Sequence, residues 1–330
     1  MDKLSVVRQM LPESGQIRST EDHFAPSNIA LCKYWGKRDK ELNLPVNPSL
    51  SISLGHLGTH TQLSPISFPV DEIWLNGNKL RSDTIFAQKI SNFIDLFRQG
   101  LNVRFKVDTR NNIPTAAGLA SSASGFAALT LALNEAFDLQ LERPALSMLA
   151  RLGSGSACRS VYSGFVEWHM GHREDGLDSH AHPIDISWPG FAIGLIKVDE
   201  STKSVGSRSG MQHTIDTSHL YQAWPAQANA DLSKIHAALA KKDFTALGST
   251  AEHNSLSMHA TMISSWPPLL YWQPRSVAVM QEVWSMRKQG IEIYFTLDAG
   301  PNVKLLFLAS DLNTVLTSFP DMEVVLPFGT

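Results

Sequence analysis

The chain has 330 residues, 43% hydrophobic and 18% charged, with a formal net charge of −3. That is more than one hydrophobic core usually serves, so two packed domains are expected, with the composition of a globular catalyst. The mild acidity leaves no basic field for nucleic acid or an anionic membrane, and any anionic ligand has to be met by a local cluster of positive side chains.

No apolar run approaches the ~20 residues of a membrane span. Two cysteines, Cys32 and Cys158, without CxxC or zinc spacing argue against a disulfide framework and for a reducing, cytoplasmic compartment. In chain order, residues 1–20 scatter their charges and lack an apolar signal core, so they read as a short surface arm. Residues 24–34 and 49–54 have strand character, the second alternating in Leu50, Ile52 and Leu54, with a proline-rich break over 44–48. A strand and turn over 71–77 lead to a helix ending near Arg98, a strand returns over 103–108, and an apolar helix is expected over 126–137. The polar, Gly-, Asp- and His-rich stretch 167–183 reads as a long surface loop, and the domain boundary falls near Pro189-Gly190. Helices are expected over 231–241 and 276–288, the latter with Val277, Met280, Val283 and Trp284 on one face and Gly290 as its stop. A strand over 291–297 then pairs with 303–308, which makes the chain α+β and puts Asp298 at a strand end.

Four segments carry the chemistry. Residues 111–125 form a small-residue loop running into a helix, the local structure that brings backbone N–H groups and a helix N-terminus to phosphate oxygens. It is neither Walker A nor a dinucleotide fingerprint, and it is similar to the Pro-x-x-x-Gly-Leu-x-Ser-Ser loop of the GHMP kinases. Around Gly36, the segment 25–39 crowds Lys33, Tyr34, Trp35, Lys37 and Arg38, suited to neutralising phosphate. A second small-residue loop, Ser154-Gly155-Ser156-Ala157-Cys158-Arg159, brings hydroxyls and an arginine able to grip a carboxylate. The turn Asp298-Ala299-Gly300-Pro301-Asn302 presents one carboxylate. Each segment alone also fits a plain turn, helix cap or solvated surface.

Together these segments resemble the mevalonate diphosphate decarboxylase family, also called diphosphomevalonate decarboxylase, within the GHMP kinase superfamily. The likeness runs from about Phe24 to the C-terminus, and the segment from Val205 to Met211 and the Pro-Pro of Trp266-Pro267-Pro268 share it. It implies a two-domain GHMP kinase fold: a ribosomal-protein-S5-like, ATP-binding N-terminal domain over 21–190 after the arm 1–20, and a ferredoxin-like C-terminal domain over 191–330. It also implies ATP-dependent decarboxylation of (R)-5-diphosphomevalonate to isopentenyl diphosphate in isoprenoid synthesis, with magnesium, in a cytoplasmic homodimer.

By motif, Asp298 is the implied base or orienting acceptor for the 3-hydroxyl. Lys33 neutralises charge beside it, and Arg159, with Asn28 nearby, holds the substrate carboxylate. Tyr34, Trp35, Gly36, Lys37, Ser154, Gly155, Ser156, Ala157, Cys158, Ser207 and Arg208 are the implied substrate contacts. Pro114, Ala116, Ala117, Gly118, Leu119, Ala120, Ser121 and Ser122 are the implied ATP contacts, with Ser121 or Ser122 near magnesium. The chain departs from the family in two places: Gly206-Ser207-Arg208-Ser209 keeps only one of a usual serine pair, and a substrate arginine found in some members has no clear match around residues 84–87. Rival readings are a kinase that stops at phosphorylation, a decarboxylase acting on the monophosphate, and a catalytically silent sensor. His169, His172, His180 and His182, with Asp175 and Asp178, lack metal-ligand spacing and are expected in a solvated loop.

Overall fold

The fold is taken from a computed structural model that describes residues 2–12, 16–113, 121–199 and 205–329. The first element corrects the expectation of a surface arm. Helix α1 (Lys3–Met10) is capped by the Asp2 carboxylate, which accepts from the Ser5 N–H at 2.7 Å. It buries Val6 and Val7 completely against a core that includes Leu42, Leu44, Phe93, Phe97 and Leu149. Two adjacent valines amid charges carry little periodic signal, so only the packing reveals the helix.

The chain continues through β1 (His23–Cys32), β2 (Lys37–Asp39), β3 (Leu44–Pro45), β4 (Ser49–Ile66), β5 (Glu72–Leu75) and β6 (Asn78–Lys79). Then come α2 (Ile85–Arg98), β7 (Arg104–Asn111), α3 (Ser121–Ala136), α4 (Arg143–Gly153), β8 (Phe165–Trp168) and β9 (Ala181–Ile184). Among the described residues these build a seven-stranded sheet in the order β6-β5-β7-β4-β8-β9, with β1 also pairing antiparallel to β4. Strand β4 runs on to Ile66 because 59–66 pair with β7; Gly55 and Gly58 hide that continuation in the sequence.

Helix α3 starts at Ser121, ahead of the expected Phe126. Its small residues read locally as loop, yet Ser124 is fully buried and meets the Thr59 Oγ1 at 2.7 Å and the Ser27 hydroxyl at 3.2 Å, so close helix-to-sheet packing selects them. The expected loop over 167–183 contains the β8–β9 hairpin. Buried Arg151 donates to the Gly176 carbonyl at 2.8 Å and also to that of Ser179, holding the connection. Within it the His169 and His182 rings stack at 4.3 Å, and no group of three His, Cys, Asp or Glu able to hold a metal occurs among the described residues.

The second half holds β10 (Phe191–Ile196), α5 (Ser207–Thr217), α6 (Trp224–Lys241), α7 (Phe244–Ile263), α8 (Pro274–Lys288), β11 (Ile293–Leu297), β12 (Val303–Leu308), α9 (Leu312–Ser318) and β13 (Glu323–Val325). Its antiparallel sheet has the order β11-β12-β10-β13. Helix α8 buries Ser276, Val279, Met280, Val283 and Met286, while Val277 and Trp284 stay 40% and 39% exposed, so its apolar stripe lies one step round from the expected face. Helices α4, α5, α7 and α9 answer to nothing in the sequence reading; α4 is cleanly amphipathic and was overlooked, whereas α7 is buried on so many sides that it carries little periodic signal. No helix among the described residues is long and apolar enough to cross a membrane.

One apolar core joins the two halves: Ile29, Leu31 and Trp35 pack with Trp224, Leu232, Ile235, Leu247 and Met258. Each such fully buried large side chain contributes roughly 1.5–3 kcal/mol relative to exposure. That seam sets the C-terminal end of β1 against α7 and the end of β11, where the candidate site lies.

Candidate active site

Strand alternation decides what β1 contributes. Ile29 and Leu31 enter the core, whereas Asn28 and Ala30 line a cleft of about 590 Å³. Just beyond the strand, Lys33 is held by its backbone: its N–H donates to Asn254 Oδ1 of α7 at 2.8 Å, and its carbonyl accepts from Asn47 Nδ2 at 2.9 Å. The lysine side chain is 2% exposed and reaches Asp298 Oδ1 at 2.9 Å. Lys304 of β12 approaches the other oxygen, Oδ2, at 3.4 Å. Burial pulls the Lys33 ammonium below its ordinary pKa, and the Asp298 carboxylate opposes that pull.

Helix α7 aims the carboxylate. The Ser255 hydroxyl donates to the Leu297 carbonyl at 3.0 Å and accepts from the Leu297 N–H at 2.8 Å. His259 Nε2 lies 3.1 Å from the Asp298 carbonyl; a carbonyl only accepts, so Nε2 carries the proton. Burial first, then the Lys33 charge, depress the His259 pKa to about 3, which keeps the ring neutral. One helix thus fixes both the strand end bearing Lys33 and the strand end bearing Asp298.

Arg159 follows a 3-10 turn over Gly155–Cys158 and is 2% exposed. Its Nε donates to Ser51 Oγ at 3.0 Å, another nitrogen to Ser49 Oγ, and Nη2 to Asn28 Oδ1 at 3.3 Å. These acceptors are neutral, so they orient the guanidinium without cancelling its charge. Tyr34 packs edge-on against Trp168 at 4.7 Å, and a Cβ on Gly155 would fall 2.8 Å from its ring, so glycine is required there. The Tyr34 hydroxyl is buried without a hydrogen-bond partner among the described residues, and burial raises its pKa. Lys37 donates to Asn43 Oδ1 at 2.6 Å; burial, then the charges of Arg208 and Lys3, lower its pKa to about 8.

Most of the residues implied by motif converge here. Asn28, Lys33, Tyr34, Trp35, Lys37, Ser122, Ser154, Gly155, Ser156, Arg159, Ser207, Arg208 and Asp298 line the one cleft. Gly36, Ala157 and Cys158 do not. Gly36 has φ +122°, and a Cβ there would lie 1.7 Å from the Tyr221 hydroxyl; Ala157 and Cys158 are fully buried, with the Cys158 thiol pushed up to about 12 by burial. None of these three is among the residues that line the cleft. Pro114, Ala116, Ala117, Gly118, Leu119 and Ala120 lie outside the described residues, as does the side chain of Ser121. The Ser122 hydroxyl is described, 3.4 Å from that of Ser154.

Lys3, Lys89, Lys304, Asn254 and His259 were not assigned from sequence. Lys304 had a signal, a charge inside the otherwise apolar run 303–308, and Met258-His259 reads from sequence as a helix-terminal or pocket-lining pair without chemistry of its own; the others had no signal beyond residue type. Among the described lining residues, Lys3, Lys33, Lys37, Lys89, Arg159 and Arg208 are cationic and Asp298 is the single carboxylate. A cavity so charged calls for a polyanion, with Asp298 as the one carboxylate among its described lining residues.

Residues 25–181 match the family model of the diphosphomevalonate decarboxylase-like N-terminal domain, and 194–324 that of the mevalonate 5-diphosphate decarboxylase C-terminal domain. The chain belongs to the diphosphomevalonate decarboxylase family. Diphosphomevalonate decarboxylase of Candida albicans is 37% identical over 311 residues, 89% of this chain and 85% of that protein. The Danio rerio enzyme of that name is 39% identical, covering 86% of this chain and 75% of the relative. Among solved structures, mevalonate diphosphate decarboxylase from Staphylococcus aureus superposes with a TM-score of 0.89 at 39% identity, covering 96% of this chain and 97% of that one. A structure described as MDDEF in complex with MVAPP, AMPPCP and magnesium superposes at 0.85 with 39% identity, covering 94% and 97%. The family fold is the two-domain α+β fold of the GHMP kinases, as the sequence motifs implied.

Proposed function

We infer that the cleft carries out ATP-dependent decarboxylation of (R)-5-diphosphomevalonate to isopentenyl diphosphate, with release of ADP, phosphate and carbon dioxide. The observation that carries this reading is Asp298, the single carboxylate among the described lining residues, facing a buried lysine at 2.9 Å in a cleft that also holds a neutrally ligated arginine. The substrate is a β-hydroxy acid with no carbonyl to receive the electrons of the departing carboxylate, so its tertiary oxygen must become a leaving group. Asp298 accepts the hydroxyl proton as that oxygen takes the γ-phosphoryl group of ATP. Lys33 offsets charge at the transferred group, and its bond to Asp298 holds the carboxylate in one orientation. Loss of phosphate leaves carbon 3 electron-deficient. The carbon–carbon bond to the carboxylate then breaks, and its electron pair forms the new double bond. Arg159 grips that carboxylate and keeps the breaking bond aligned.

The residues fit the reagents. The unpartnered Tyr34 hydroxyl, the Ser154 and Ser156 hydroxyls, Lys37 and Arg208 suit a diphosphate. Ser122 and the start of α3 suit the nucleotide phosphates. A second cavity of about 200 Å³, lined by Phe86, Ile90, Val107, Phe126 and Leu129 and sharing Lys89 and Ser122 with the cleft, suits the nucleoside. Magnesium, when bound, would supply charge neutralisation on the triphosphate; among the described lining residues Asp298 and the Ser122 hydroxyl are oxygen donors that could hold it, alongside nucleotide oxygens and water.

The same reading takes 21–190 and 191–330 as the two domains, supported by the two sheets they contain. It places a homodimer in the cytoplasm; exposed Leu220, Trp266 and Leu270 supply apolar surface for association, and sedimentation reads the mass. The deciding experiment supplies ATP, magnesium and 5-diphosphomevalonate and follows ADP and carbon dioxide together. Equal yields support the reading, ADP alone identifies a kinase, and neither product points to a sensor.

A further inference from the structure

We propose that Lys3, carried by the N-terminal helix α1, is a substrate-binding residue that completes the cationic seat for the diphosphate. This rests on the decarboxylase reading above and extends it to a segment that precedes the matched family domain, which begins at residue 25.

Helix α1 is anchored, not loosely apposed. Val6 and Val7 are fully buried and Leu11 is 9% exposed, so the helix is fixed against α2, α4 and the turn that carries Leu42 and Leu44. Its first residue is thereby delivered to the cleft, which Lys3 lines together with Lys37, Asn43 and Arg208. That turn joins β2 to β3 and also bears Asn43, the acceptor of the Lys37 ammonium at 2.6 Å; Asn43 Nδ2 in turn donates to the carbonyls of Arg151 and Leu152 at 2.9 and 3.2 Å. The anchorage of α1 and the placement of Lys37 thus share one support.

Lys3, Lys37 and Arg208 make no ion pair with any carboxylate among the described residues, and the acidic group felt by Lys3 is Glu41. Lys3 and Lys37 are half-buried and Arg208 is exposed beside them; cations that repel one another and stay unpaired are costly in the free protein, and a bound anion of several charges relieves that cost. A terminal diphosphate, with up to three charges on two phosphorus centres, matches three cations; a monophosphate leaves one without a partner.

The test is a steady-state comparison of wild type, Lys3→Met and Lys3→Arg, with ADP and carbon dioxide followed at fixed ionic strength. A partly exposed charge contact of about 1 kcal/mol predicts a rise of roughly fivefold in the KM for 5-diphosphomevalonate with Lys3→Met. The loss is confined to that KM, with the KM for ATP and kcat within twofold of wild type. Lys3→Arg recovers the parent value. Inorganic pyrophosphate, bound directly and read by calorimetry, weakens by the same factor in Lys3→Met, while inorganic phosphate weakens less.

Unchanged substrate KM and pyrophosphate affinity in Lys3→Met overturn the proposal. So does an equal rise in the KM for ATP, which would assign the charge to the nucleotide. If wild type forms no product, the functional reading fails on its own, and the pyrophosphate titration still decides Lys3. Circular dichroism confirms that α1 remains folded, and Lys3→Gln provides a second neutral variant if Lys3→Met unfolds.

Discussion

Asp298→Asn separates the chemistry of the site from its electrostatics. The substitution keeps the shape of the side chain but removes the single carboxylate beside Lys33 at 2.9 Å and Lys304 at 3.4 Å, both ammonium groups being almost wholly buried. Breaking a sealed buried pair costs about 3–5 kcal/mol, because the surviving charge has no compensation. Asp298 is 30% exposed on its cleft side, so water screens part of that and a loss of about 2 kcal/mol in folding stability is expected. Turnover falls far more, by roughly 10²–10⁴, the usual contribution of a positioned proton acceptor. Binding of a non-hydrolysable ATP analogue persists.

The assay pairs denaturant unfolding with steady-state turnover at neutral pH, in a double-mutant cycle with Lys33→Met. In the double variant both members of the Lys33–Asp298 pair are gone while Lys304 stays buried without its carboxylate, so only part of the stability is recovered, and a coupling of about 1–2 kcal/mol for the Lys33–Asp298 pair is read from the cycle. Turnover within tenfold of wild type for Asp298→Asn would falsify the proton-acceptor role. Strict additivity in the cycle would show that the pair does not interact as its geometry requires.

The buried Arg159 is held by neutral acceptors, so its charge is retained at a cost to folding; Arg159→Met is expected to leave stability unchanged or raised while lowering kcat/KM by about 10²–10³. Arg159→Lys, which cannot span Ser49, Ser51 and Asn28 together, recovers little of that loss in the same assay. Lys37, with its pKa lowered to about 8 by burial and neighbouring cations, sheds its proton above that pH in the free enzyme, so kcat/KM for 5-diphosphomevalonate should decline there, and Lys37→Arg should remove the decline. The sign for folding is opposite. The unfolded chain keeps the ordinary value of 10.5 and binds more protons between about 8 and 10.5, so this group adds stability as pH rises through that window, a gain lost in Lys37→Met. Asn254→Ala removes the acceptor of the Lys33 N–H and should lower kcat about tenfold with substrate KM little changed, the mark of a group that positions a catalytic side chain. A change in KM alone would refute it.

Much of the site was legible because its parts are short and chemically dense. The stretch 28–31 alternates cleft and core residues and 33–37 follows as a basic, aromatic turn, Arg159 ends the tight turn opened by Ser154-Gly155-Ser156, and Asp298 follows a strand; each is set by local backbone geometry that residue types report directly. The same local view did not separate Gly36, Ala157 and Cys158, which stand off the cleft lining, from their neighbours, since a motif does not say which of its side chains face inward. It also read the small residues opening α3 as loop, because only the sheet beneath them shows that smallness serves packing.

What the sequence alone determined, then, is the chemical inventory and the family to which it belongs, since both reside in contiguous residues. Which groups meet was settled by folding. Lys33 and Asp298 lie 265 positions apart, and the core shared by β1, α6 and α7 brings them together. Likewise Asn254, Ser255 and His259 acquire a purpose only where α7 crosses two strand ends, and Lys3 only when two buried valines dock its helix. The physical reason is that burial and charge compensation depend on distances in space, and a chain encodes those through the sum of its apolar contacts, not through any one stretch of letters.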